Sequence, residues 1–297
     1  MTKIIAFFMV IITFFCNIFG INPPPMQEEN YKSYYDVAYG RNARHRLDLL
    51  IPDGASGEEG LILIIHGGAW ISGDKKYQRS QMEYYAGTLG YVTAAINYRY
   101  LSEDVSFDDI LDDIELSLGK IKSLAADNGI ELTKMITTGA SAGGHLAMLY
   151  AYSRQDTAPV KPVAVADYCG PSDMCDPNFY NENSMPSSKN IYLYISSLIT
   201  GKDITVDNVN LVQDVFSKAS PINYIDENTV PTIINHGMKD DTVPYSNAVL
   251  LDAKLTEYGV PHILNPFPNS GHGLDSDRDA AVKSEEDFAL YCKTYLG

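Results

Sequence analysis

Two glycines flank a serine in Gly139-Ala140-Ser141-Ala142-Gly143. A serine hydroxyl becomes a nucleophile once a base removes its proton, so the question is what surrounds it. Met135 to Thr138 is a short run suited to a strand, and His145 to Tyr150 reads as a helix, which places Ser141 on a sharp strand-to-helix turn. A residue at such a turn takes strained backbone angles. Glycine two positions away on either side removes the Cβ atoms that would collide with strand and helix, and the hydroxyl is held out at the helix N-terminus.

Acyl transfer needs three further parts: donors for the developing oxyanion, a base, and an acid that orients the base. The apolar run Leu61 to Ile65 leads into His66-Gly67-Gly68-Ala69-Trp70, a glycine-rich loop whose amides can face an oxyanion. Gly67, Gly68 and Ala69 are the candidates there, with the Ala142 amide beside the nucleophile. His236-Gly237-Met238-Lys239-Asp240-Asp241 follows another short apolar run and offers an acid on a loop: Asp240, with Asp241 as the alternative. Asn269-Ser270-Gly271-His272-Gly273 offers the base, an imidazole between glycines. Asp275 and Asp277 follow His272 too closely to serve as its acid. Structural roles are expected for His66, His145 and His236, and His45 and His262 stand in no motif.

These loops need a scaffold, and strand and helix patterns alternate along the chain. Leu61 to Ile65, Tyr91 to Asn97, Met135 to Thr138, Val163 to Tyr168, Thr232 to Asn235 and His262 to Pro266 are strand candidates. Unbroken apolar runs of this kind suit strands buried on both faces. Phe107 to Leu124 sets Ile110, Leu111, Ile114, Leu118, Ile121 and Leu124 at helical steps, with acidic residues opposite, as in a covering helix. Alternation implies an α/β domain, a mainly parallel sheet with helices on both faces, and chemistry in the loops beyond the carboxyl ends of its strands.

The order Ser141, Asp240, His272 and the motifs around them resemble the α/β-hydrolase superfamily, and within it the hormone-sensitive-lipase-like and feruloyl-esterase-like esterases with a His-Gly-Gly-x-Trp motif. The resemblance covers roughly residues 35 to 296. It also takes in Asn97-Tyr98-Arg99-Tyr100, Ala219-Ser220-Pro221 and the arrangement His236 to Pro244. It implies the α/β-hydrolase fold, a serine ester hydrolase, and Ser141, Asp240 and His272 as nucleophile, acid and base. The implied substrates are small acyl esters or acyl groups on polysaccharide. Two departures stand out: Ala69 where lipase-like members carry a third glycine, and Val105-Ser106-Phe107-Asp108 where many relatives carry Phe-Pro-Ala.

Trp70 either lines the acyl pocket or packs the loop. Tyr98 either approaches the site or fixes it from behind. Residues 177 to 198, rich in aromatic and polar side chains, are expected to form a small cap or else a surface segment. The same triad would also serve a peptidase or amidase. A non-catalytic binding protein on this scaffold is the other reading, and it would not require all three residues.

The chain has 297 residues and a formal net charge of −16, ample for one large core and unfavourable for nucleic acid or anionic membrane as a partner. Residues 1 to 20 place Lys3 ahead of the apolar run Ile4 to Phe15, with Pro23-Pro24-Pro25 following. This is the pattern of a signal peptide, to be followed by an extension over 21 to 34 and a catalytic domain over 35 to 297. Export, with no stable membrane span after processing, is the expectation; an uncleaved anchor or lipidation at Cys16 is the alternative. Beyond that leader Cys169, Cys175 and Cys292 remain, an odd number that excludes a disulfide framework, although Cys169 could bridge Cys175. Nothing in the sequence calls for a metal or cofactor.

Overall fold

A computed structural model describes residues 30–180 and 190–297. The expected leader, residues 21–29 of the extension, and residues 181–189 of the inserted segment lie outside them.

Eight strands form one sheet: β1 (Tyr31–Ala38), β2 (Arg46–Pro52), β3 (Gly57–Ile65), β4 (Val92–Ile96), β5 (Ile130–Ala140), β6 (Lys161–Tyr168), β7 (Thr232–Gly237) and β8 (His262–Phe267). Their spatial order is β1-β2-β4-β3-β5-β6-β7-β8. The pairs β1/β2 and β2/β4 are antiparallel, and every other pair is parallel. Between them run α1 (Arg79–Gly87), α2 (Phe107–Ala126), α3 (Ala142–Arg154), α4 (Ile191–Thr200), α5 (Gln213–Lys218), α6 (Ser246–Glu257) and α7 (Arg278–Tyr291).

The unbroken apolar run of β3 is explained by its two faces. Leu61, Leu63 and Ile65 pack toward α2 and α3, whereas Ile62 and Ile64 pack toward α1 and α7. All five side chains are buried, each contributing roughly 1.5–3 kcal/mol to the core. Helix α2 follows its expected stripe, and its start explains one departure from the resembling family. Ser106 caps the helix through the Asp109 amide at 3.2 Å, while Asp109 Oδ2 accepts from the Ser106 amide at 2.9 Å.

The sheet begins at Tyr31, four residues inside the segment expected as an extension, because β1 continues the register of β2. Asp48 in β2 is fully buried and holds Lys75 Nζ at 2.7 Å and the Asp36 amide at 2.7 Å. Of the two states open to Cys169 and Cys175, bridged or free, the structure has both as free thiols, and Cys292 is free as well. Among the described residues, no helix is long and apolar enough to cross a membrane.

Candidate active site

Ser141 ends β5 and begins α3 with φ 57° and ψ −126°, a left-handed conformation that L residues rarely adopt. Close packing makes that turn possible only with glycine around it. A Cβ on Gly143 would lie 2.0 Å from the Ile65 carbonyl oxygen, and one on Gly139 would lie 2.4 Å from the same oxygen. The serine is 9% exposed.

The glycine-rich loop runs directly beside it. A Cβ on Gly67 would stand 2.6 Å from the Ala140 carbonyl oxygen and 3.4 Å from Ser141 Cβ. Gly68, Ala69 and Trp70 all take positive φ, at 116°, 49° and 61°. The Gly68 carbonyl is turned back into the loop, accepting from the amides of Ile71 and Ser72 and from Ser72 Oγ at 2.8 Å. Among the described residues the Gly68 and Ala69 amides donate to none, which leaves them for a reactant. Ala69 adopts left-handed geometry, at a cost of roughly 1–2 kcal/mol.

The loop is braced from behind. Tyr98 is fully buried, stacks on His66 at 4.3 Å and donates from its hydroxyl to the His66 carbonyl at 2.9 Å. Arg44 approaches His66 Nε2 at 3.1 Å and donates to the Tyr98 carbonyl at 2.7 Å. His66 Nδ1 donates to the Gly67 carbonyl. Burial, aided by the neighbouring Arg44, pushes the His66 pKa down to about 4, so the ring is neutral and fixed in one tautomer. Trp70, 2% exposed, donates from Nε1 to His145 Nδ1 at 3.1 Å, and His145 Nε2 donates to the Ala219 carbonyl at 2.6 Å. Trp70 and Tyr98 thus support the loop from within the core. Arg44 had no motif to announce it.

His272 and Asp240 come together across the ends of β7 and β8. His272 Nδ1 lies 2.7 Å from Asp240 Oδ2, and the Asp240 side chain is fully buried. Asp240 Oδ1 accepts from the amides of Thr242 at 2.8 Å and Val243 at 2.9 Å. Burial alone would raise the Asp240 pKa, but the His272 charge and hydrogen bonds from His236 and His272 hold the carboxyl well below its usual range. His272 shifts upward: burial opposes its charge, and the adjacent Asp240 more than offsets that. Asp241 is exposed and accepts from Thr242 Oγ1 at 3.4 Å. Asp277 shapes the loop instead, accepting from Ser270 Oγ at 2.6 Å and from the Asn269 amide at 2.8 Å.

Hydrogen bonds beyond the strand ends join Ser141 to this pair along one edge of the sheet. The Ser141 amide donates to Tyr168, that of Cys169 to Asn235, that of Met238 to Phe267 and that of Lys239 to Ser270. Over this edge lies the described part of the inserted segment. Tyr192 of α4 packs against Phe179 with the rings tilted by 35° and meets Trp70 edge-on at 6.3 Å. Phe179, Asn190 and Tyr192 line a recess together with Asp241, Thr242 and Pro244 of the acid loop.

Comparison with known proteins finds esterases. Esterase LipQ of Mycobacterium tuberculosis is 29% identical over 252 residues, covering 81% of this chain and 57% of its own. The probable carboxylic ester hydrolase LipM of the same organism is 27% identical over 245 residues, covering 81% of this chain and 56% of its own. The chain therefore spans little more than half the length of these relatives. A solved structure described as a truncated carbohydrate esterase from gut microbiota superposes with a TM-score of 0.73 at 23% identity, covering 91% of this chain and all of that one. That likeness gives the α/β-hydrolase fold. A family model described as BD-FAE matches residues 47–255, well over half of the sequence, and the chain belongs to that family.

Proposed function

We propose that this protein is a serine carboxylic-ester hydrolase that works through an acyl-enzyme. The observation that carries the reading is the buried His272–Asp240 pair, on the same sheet edge as a serine held at φ 57° beside a glycine loop. His272 takes the Ser141 proton on Nε2 as the oxygen attacks the ester carbonyl, and Asp240 stabilises the imidazolium through Nδ1. The negative charge that develops on the carbonyl oxygen is met by amides among Gly67, Gly68, Ala69 and Ala142. The proton passes from Nε2 to the leaving alkoxide, and the acyl group stays on Ser141. Water, deprotonated by His272, then releases the acid and restores the serine.

The relatives' names support an ester rather than an amide as the bond cleaved. The solved structure described as a carbohydrate esterase supports acyl groups on small molecules or on sugars as the substrate class. We read residues 1–20 as an export leader, which would bring the enzyme to such substrates outside the cytoplasm. The test is turnover of p-nitrophenyl acetate, acetylated oligosaccharides and an acyl p-nitroanilide by the protein lacking residues 1–20. Ester cleavage with negligible anilide cleavage is expected, and the reverse would favour the peptidase reading.

A further inference from the structure

Asp240 has more around it than the pair with His272 accounts for. The Cys169 sulfur, a ring nitrogen of His236 and a carboxylate oxygen of Asp240 all lie within 4.8 Å of one another. Cys169 follows β6 with φ 53°, a left-handed angle that a non-glycine residue adopts at a cost. Its amide is fixed to the Asn235 carbonyl at 2.9 Å, and its side chain is fully buried. The turn thus holds the sulfur against the acid from the strand on the far side of β7.

Three such donor atoms also have the spacing of metal ligands, but two are already committed. His236 Nε2 sits 2.9 Å from the Val243 carbonyl, which can only accept, so that nitrogen carries a proton. The same nitrogen is 3.4 Å from Asp240 Oδ2, which His272 also occupies. The thiol is what remains. Burial and the adjacent Asp240 push its pKa well above the ordinary value, so it stays protonated and its S–H is available to the carboxylate.

We propose that Cys169 is a positioning residue for the acid: its S–H donates to the Asp240 carboxylate and limits how strongly Asp240 draws on the His272 proton. The inference rests on Asp240 serving as the acid in the reading above. A carboxylate that receives an additional hydrogen bond is a weaker base, so it raises the His272 pKa less. The other groups facing this cluster are His272, His236 and Tyr192 around Asp240, Asp241 near His272, and Asp167 near Cys169. All of them are present in every variant at 169, including Asp167, whose pKa burial raises to about 8, so the comparison among those variants isolates the residue at 169.

The experiment is the pH profile of kcat/KM for p-nitrophenyl acetate in the wild-type protein, Cys169→Ser and Cys169→Ala, with Asp240→Asn beside them. A hydroxyl donates more strongly than a thiol, and alanine does not donate. The acidic limb is therefore expected lowest in Cys169→Ser and highest in Cys169→Ala, spanning about half a pH unit. The low-field proton resonance of the His272–Asp240 hydrogen bond gives a reading independent of turnover, and it must move in the same order. A common limb and an unmoved resonance in all three proteins, or the reverse order, would overturn the inference. If Asp240→Asn leaves the wild-type limb in place, the assignment of the acid itself is wrong; if it lowers that limb while the three proteins coincide, only the role of Cys169 fails.

Discussion

His272 Nδ1 and Asp240 Oδ2 are 2.7 Å apart, and two backbone amides on Oδ1 stop the carboxylate from rotating off the ring. The Nδ1 proton is thereby held toward Asp240, and in the proposed mechanism Nε2 is the nitrogen that accepts the serine proton. Burial works against the charged ring and Asp240 works for it, leaving the His272 pKa above its ordinary 6.5. His272 must be neutral to accept the serine proton, so activity is full above that raised pKa and is lost as pH falls through it. The acidic limb of kcat/KM should therefore lie above pH 6.5. Asp240→Asn should lower kcat about 10⁴-fold and shift the residual limb downward. A limb at or below 6.5 in the wild-type protein would contradict the pairing.

Gly67→Ala tests the loop beside the nucleophile. Its Cβ would meet the Ala140 carbonyl oxygen at 2.6 Å, so either the loop or the serine turn must shift. Displacing one oxyanion donor costs about 3 kcal/mol of transition-state stabilisation, or roughly 100-fold in kcat. That loss is expected with KM little changed, in steady-state kinetics on a p-nitrophenyl ester.

Trp70→Phe separates support from substrate contact. The change keeps an aromatic ring but removes the pyrrole half of the indole with its donor to His145 Nδ1, leaving a small void and a buried acceptor unpaired, the latter at about 1–3 kcal/mol. A thermal midpoint lower by several degrees is expected, with the preference among acetyl, butyryl and octanoyl esters unchanged. An altered chain-length preference would show instead that the indole lines the acyl pocket.

The sequence carried the six parallel strands and the site motifs, since both rest on local signals: apolar runs buried on two faces, and glycines that a turn demands. All six strand candidates lie within or overlap β3 to β8. The antiparallel strands β1 and β2 were not legible, for different reasons. β1 is an edge strand of half-exposed residues, YKSYYDVA, with a bulge between Tyr34 and Val37. β2 carries Asp48 at its centre, a charge that reads as a loop until Lys75, 27 positions later, neutralises it. At the site, motif order favoured Asp240 over its neighbour Asp241, and the two amides and the histidine on Asp240 support that choice. Arg44 and Cys169 act through partners far away in sequence, and no spacing rule finds them.

The most direct test of the central claim is mass spectrometry of the protein lacking residues 1–20 after reaction with a fluorophosphonate. A single adduct on Ser141 is predicted, absent in Ser141→Ala, with p-nitrophenyl acetate turnover abolished in parallel. An intact, folded protein that takes no adduct at Ser141, or a Ser141→Ala variant that retains turnover, would contradict the account.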